Sequence, residues 1–125
     1  MKYMLMCCME EKQLYAMSKR EFDALMEETT PYCEALQKSG HLLAAESLES
    51  VEKAVTVRGP SGKVSVTDGP FAETKEQIGG FFLINARDLN EAIQLASKFP
   101  SVRLGSMEVR PVMEQHCSSQ APIVA

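Results

Sequence analysis

Residues whose side chains could take part in chemistry are concentrated in the segment 68–82. Asp68 begins this segment, where it could act as a general base. Gly69 and Pro70 follow, and because Gly accepts positive φ and Pro lacks an N–H, the chain must turn out of its sheet here. Alternatively, Asp68 is a turn residue whose carboxylate accepts a hydrogen bond from the backbone two residues on. Asp-Gly-Pro is a turn signal in its own right, which favours this second role.

Charged and aromatic residues follow the turn, before the glycine pair at 79–80. Glu73, Lys75 and Glu76 could line a polar pocket in which Lys75 holds an anionic ligand as a point charge. A solvated charged loop is the alternative. Because Phe71 precedes these charges, and a further aromatic follows them, the loop could sit over an apolar cleft. We therefore predict Phe71, Glu73, Lys75 and Glu76 as ligand-binding residues.

His41 follows the first predicted helix and is the only histidine outside the C-terminal tail. An imidazolium is favoured at a helix exit by the helix dipole. Catalysis would require His41 to lie within hydrogen-bond reach of a carboxylate such as Asp68 or Glu46. The hypothesis is modest acid–base chemistry by Asp68 and His41, and the alternative is a structural or surface histidine.

No metal or cofactor is predicted. A metal site needs three or four convergent ligands, and no spacing in the chain demands one. The residues that could be assembled for it are His41, Glu46, Asp68 and Glu73. The adjacent Cys7 and Cys8 point to opposite faces of a strand, so they cannot share a metal. The chain also has no Gly-rich phosphate loop.

The N-terminal half predicts a strand followed by a long helix. The apolar run from Tyr3 to Met9 suits a central strand covered on both faces, and a loop with some helical tendency comes next. Ser18 and Glu21 fit a capping box at the start of a helix that Gly40 ends. Pro31 must kink this helix, or restart it with Thr30 as a new cap.

The remaining elements are predicted from alternation, turn residues and caps. They are strands at 41–48, 53–58, 63–67, 80–86 and 104–112, and a helix from 88 to about 100. The second and third of these strands form a hairpin with one buried face and one wet face. The order β-α-β-hairpin-β-α-β predicts a ferredoxin-like antiparallel sheet with two helices on one face. The other face is left bare and must be covered by a partner subunit or remain as an apolar cleft, so we predict a homodimer.

Length and charge limit the class of protein. The 125 residues suit a single domain, which we place at 1–113, with a loose tail at 114–125. A net charge of −4 without a basic run argues against nucleic-acid binding. The apolar N-terminus is too short to span a bilayer and lacks the features of a signal peptide, so we expect a cytoplasmic protein without a membrane partner.

The run Asp68-Gly69-Pro70-Phe71 with 72–76 resembles the signature of the DGPF-type branch of the YCII-related family. Segments 1–5, 40–43 and 105–112 also resemble that family. The resemblance implies a dimeric α/β barrel, in which two ferredoxin-like sheets pack face to face, and bacterial cytoplasmic members without assigned chemistry. Some relatives are suspected enzymes because a histidine in the first helix lies near an aspartate, whereas residues 18–39 here contain no histidine.

Two functions follow as hypotheses. The first is a homodimer that binds a small molecule in a cleft between its sheet and the 68–79 loop, with possible acid–base catalysis. The second is a non-catalytic accessory protein that acts through protein contacts. Because the resemblance implies genes beside those for alternative sigma factors, that second role would belong to sigma-factor-linked regulation.

Overall fold

The computed structural model describes residues 1–113, and the predicted tail at 114–125 lies outside the described residues. The helices and strands occur in the order β1 (Lys2–Met9), α1 (Glu11–Ala16), α2 (Lys19–Lys38), β2 (Leu42–Ser47), β3 (Val55–Arg58), β4 (Ser65–Asp68), β5 (Gln77–Asn85), α3 (Leu89–Ser97) and β6 (Gly105–Pro111). Short 3-10 turns lie at Val51–Lys53, Pro60–Gly62 and Pro100–Leu104.

Four strands form one antiparallel sheet in the order β2-β5-β1-β6. Strands β3 and β4 pair only with each other, as a separate two-stranded hairpin. This order agrees with the predicted ferredoxin-like α+β fold. The segment predicted as a loop with helical tendency forms α1, so the described chain has three α-helices where two were predicted.

Local side-chain bonds define the start of the long helix. The Glu21 N–H donates to Ser18 Oγ over 3.1 Å, and the Ser18 N–H donates to Glu21 Oε1 over 3.2 Å, which completes the predicted capping box. The helix α2 continues through Pro31, so the predicted alternative of a restart at Thr30 is wrong. At the other end Gly40 adopts a φ of +82°, as expected for a helix stop.

The core lies between one face of the sheet and the helices α2 and α3. On β1, Tyr3, Leu5, Cys7 and Met9 are buried. Tyr3 and Leu5 pack in one cluster with residues of α2, β5 and α3 and of the segments that follow β5 and α3, which are Leu36, Ile84, Ala86, Ala92, Ala96 and Phe99. The prediction that β1 is covered on both faces is wrong for the single chain, because the side chains between these buried positions are only half-buried.

The opposite face of the sheet carries a half-buried apolar surface. Met4 lies opposite Leu83, and Met6 lies opposite Phe81, in the β1–β5 register, while Cys8 follows on the same face of β1. These five side chains form what we call the bare face. The helices α2 and α3 pack on the other side of the sheet and leave this surface uncovered.

The β3–β4 hairpin exposes its valines. Val55, Val57 and Val66 have 60%, 63% and 65% of their surface exposed, and Val64 beside them has 73%. The prediction that one hairpin face is buried is therefore wrong within one chain. The physical reason is that the hairpin does not lie on the four-stranded sheet but forms a sheet of its own.

None of the helices in residues 1–113 combines the length and the apolar character needed to cross a membrane.

Candidate functional site

An open cleft of about 610 Å³ lies at one end of the four-stranded sheet. Residues from segment 48–54 form one wall and residues from 70–78 form the other, with Cys8 of the bare face between them. Most of the lining is apolar, and includes Leu48, Val51, Phe71 and Ile78. The cleft therefore lies between segment 48–54 and the 68–79 loop, which we call the motif loop, with Cys8 of the sheet between them.

The turn at the start of the motif loop is held by Gly69. This residue has a φ of +104°, a backbone conformation that is unfavourable for any residue with a Cβ. Its N–H donates to the Ala54 carbonyl oxygen over 2.8 Å, and its own carbonyl accepts from Thr56 Oγ1 over 2.8 Å. Neither of these two hydrogen bonds involves the carboxylate of Asp68, which is exposed. The turn thus depends on the backbone of Gly69.

The hairpin also fixes the position of Phe71. The Arg58 guanidinium donates to the Phe71 carbonyl oxygen over 3.1 Å. The Phe71 ring itself is 82% exposed at the rim of the cleft. A bond to the backbone therefore orients this segment while the aromatic side chain stays free to contact something else.

Glu11 and Gln77 join the two walls of the cleft. The Glu11 carboxylate accepts from Ser50 Oγ over 3.0 Å and from the Val51 N–H over 2.9 Å. The Glu11 N–H donates to Gln77 Oε1 over 3.0 Å, and Gln77 Nε2 donates to the Thr74 carbonyl oxygen over 2.6 Å. This chain of bonds runs from one wall through the start of α1 to the other wall, so it sets their separation.

Glu76 and Cys8 bring polar atoms to the apolar lining. Ser106 Oγ donates to Glu76 Oε1 over 2.8 Å, which holds the carboxylate beside β6. Burial raises the pKa of the Cys8 thiol, and the carboxylates of Glu108 and Glu76 raise it further. Because the thiolate is the reactive form, a raised pKa makes Cys8 a poor nucleophile at neutral pH.

The predicted ligand-binding residues divide into two groups. Phe71 and Glu76 line the cleft, whereas Glu73 and Lys75 belong to the same loop but are exposed and do not contribute to its lining. The two groups differ because the loop passes over the cleft and directs only some of its side chains toward it.

The two residues predicted as catalytic lie at opposite ends of β2. His41 precedes this strand, and its Nδ1 lies 2.9 Å from the Asn85 carbonyl oxygen, so Nδ1 carries the proton that it donates there. Asp68 pairs with Val55 beyond the other end of β2. A strand of this length spans about 20 Å at about 3.3 Å per residue. One chain therefore does not bring His41 and Asp68 within hydrogen-bond reach.

The family comparison covers nearly the whole chain. The model of the YCII-related domain matches residues 1–116. The chain belongs to the YCII-related family. It is also similar to an uncharacterized protein of Rhizobium meliloti (strain 1021), with 36% identity over 114 residues that cover 90% of this chain and 92% of that relative. The YCII-related domain thus includes the complete sheet and both walls of the cleft.

Several residues of this YCII-related site were not predicted from the sequence. Glu11, Ser50 and Gln77 join the walls, and Cys8 lies between them. Only the register of β1 signals Cys8, because it alternates with the buried Cys7. The bonds of Glu11 connect positions 39 and 66 residues apart in the chain, so no local pattern indicates them.

Proposed function

We propose that this YCII-related protein, as a member of the DGPF branch, binds a small molecule in the cleft between its sheet and the 68–79 loop. The observation that carries the proposal is the cleft of about 610 Å³, which is large enough for a drug-sized ligand. Its lining is mostly apolar with a few polar groups, the composition typical of small-molecule sites. The chain of bonds through Glu11 and Gln77 supports a cleft that exists before the ligand arrives.

Binding is better supported than acid–base catalysis. Neither His41 nor Asp68 lines the cleft. For the two residues to act on one substrate, a second subunit would have to supply one of them, because β2 separates them within a chain.

The proposal includes a homodimer formed through the bare face, as in a dimeric α/β barrel. Its support is the half-buried apolar surface of Met4, Met6, Cys8, Phe81 and Leu83. A contiguous apolar surface of this kind is typical of an interaction site. Because the cleft is continuous with the bare face at Cys8, dimer formation would also deepen it.

The test is a titration of the ¹⁵N-labelled protein with aromatic fragments, followed by amide chemical shifts. We expect saturable shifts at Ala54, Ala72 and Ile78, which line the cleft. An Ala54→Phe variant fills the space and should abolish them. The control is Ala24→Phe on the exposed surface of α2, which should bind as the wild type does. Shifts that are absent from the cleft, or that survive in Ala54→Phe, would refute the proposal.

The exposed hairpin favours a second candidate function. Val55, Val57, Val64 and Val66 give it an apolar surface that nothing in residues 1–113 covers. A non-catalytic accessory protein that contacts another protein, such as an alternative sigma factor, would use a surface of this kind. If the cleft binds none of the fragments, the accessory role through protein contacts becomes the better supported function.

A further inference from the structure

The charges that line the cleft do not cancel. Three charged side chains belong to its lining, namely Glu49, Lys53 and Glu76. Lys53 Nζ forms an ion pair with Glu49 on the surface of the same wall. Glu76 has no ion-pair partner among residues 1–113. The lining therefore carries one carboxylate that no cation neutralises.

The environment of Glu76 leaves its charge available to a ligand. The residue is half-buried, and its Oε1 accepts the hydrogen bond from Ser106. A carboxylate has about four acceptor positions, so most of its capacity remains unused. It shares the lining of the cleft with Ile78 and with Cys8, whose thiol pKa its charge helps to raise. Because the pKa of that thiol is raised above its ordinary value, Cys8 adds no competing charge at neutral pH.

Lys75 does not offset this charge. It was predicted to hold an anionic ligand, but it is exposed and its side chain does not belong to the lining. An anion in the cleft would therefore meet the Glu76 carboxylate without a cation to neutralise it, and like charges placed close together repel.

We propose that the cleft selects an apolar molecule with a positively charged amine, whose ammonium group is held by Glu76. This inference rests on the proposed function, since it names the ligand class for the same cleft. The aliphatic and aromatic lining takes the apolar body, and the ammonium donates charge-assisted hydrogen bonds to the carboxylate. Because the site is open to solvent, the charge contributes selectivity between ligands more than raw affinity.

Three probes with one aromatic body test the charge preference. They are 2-naphthylmethylamine, 2-naphthylmethanol and 2-naphthylacetate, each titrated into the ¹⁵N-labelled protein at pH 7. We expect the amine to bind about fivefold more tightly than the alcohol, the size of a half-exposed charge pair, and the acetate to bind most weakly. Added salt should reduce the advantage of the amine, because a partly exposed ion pair is screened.

Matched carboxylate variants assign the effect to one residue. Glu76→Gln keeps the size of the side chain and should abolish the preference for the amine over the alcohol. Glu73→Gln removes a carboxylate from the exposed part of the same loop and should leave the preference unchanged. Thermal unfolding of each variant verifies that the fold is retained.

The outcomes separate the two proposals. Equal binding of the three probes at the cleft, or an equal loss of preference in Glu73→Gln and Glu76→Gln, would overturn the amine preference and leave the cleft as a binding site. If no probe shifts the amides of the cleft, then the proposed function and this inference both fail.

Discussion

On β1, Tyr3 and Leu5 are 2% and 0% exposed, whereas Met4 and Met6 on the opposite face are half-buried. The two faces of the sheet differ in what covers them and also in polarity, because β6 places Arg110 and Glu108 beside Met4 and Met6 on the bare face. The helices α2 and α3 complete one face within the chain. Nothing among the described residues completes the other. The fold of the single chain therefore depends on the apolar residues of the covered face, and the bare face carries a separate set of apolar residues.

Two phenylalanines show the same division. Phe99 is 1% exposed, with its ring stacked on Phe82 at a centroid distance of 4.1 Å and in edge contact with Tyr32 at 4.8 Å. Phe71 is 82% exposed at the rim of the cleft. An aromatic ring held by two others supports folding, whereas an aromatic ring in solvent contributes to stability only when it contacts a ligand or a partner.

The largest expected effect is therefore in the core. Phe99→Ala should lower the free energy of unfolding by about 3–5 kcal/mol, since it leaves a cavity beside the rings of Phe82 and Tyr32. Phe71→Ala is the matched control and should change it by less than about 0.5 kcal/mol. Denaturation by urea measures both. Equal losses of unfolding free energy in the two variants would show that Phe71 belongs to the core as Phe99 does.

A smaller effect is expected on the bare face. In the proposed dimer Met6→Lys would bury an ammonium, whose cost the carboxylate of Glu108 opposite it on β6 offsets only in part. Association should therefore weaken by about 1–3 kcal/mol, or about fivefold to 150-fold. Light scattering coupled to size-exclusion chromatography should then show a smaller mass than for the wild type. Ala24→Lys on the outer surface of α2 should leave the mass unchanged. A wild type that is already monomeric would contradict the dimer.

The smallest expected effect concerns the turn of the motif loop. Gly69→Ala should destabilise the protein by about 1–2 kcal/mol, because a residue with a Cβ is strained at a φ of +104°. Gly79→Ala is the control, since a Cβ there meets no atom within 4 Å and its φ is not positive. Asp68→Ala should have less effect than Gly69→Ala in thermal unfolding. The opposite order would restore the turn role to the Asp68 carboxylate.

Local features of the chain determined its elements. The side-chain bonds that start α2 and α3 join residues three apart, Ser18 with Glu21 and Asp88 with Glu91, so a short window of sequence contains them. Alternation within β6 likewise follows from the order of residue types, since the apolar Met107 and Val109 are half-buried and the charged Glu108 and Arg110 are exposed. Because the element types and their order fix a small set of topologies, the ferredoxin-like sheet followed.

Features that depend on how the elements pack against one another could not be predicted from short segments of the sequence. The α1 helix was predicted only as a helical tendency, and the valines of β3 and β4 alternate as a half-buried hairpin does, although they are exposed. Alternation shows which side chains share a face. Whether another element covers that face is decided by packing, which the pattern of one segment does not contain.

The site depended on tertiary structure most of all. The sequence located the motif loop and named Phe71 and Glu76, which line the cleft. It also paired His41 with Asp68, although the length of β2 holds them apart. The opposite wall and the bonds of Glu11 come from residues far away in the chain. Residue types by themselves thus determined which groups are available, and the register and length of the strands decided which of them meet.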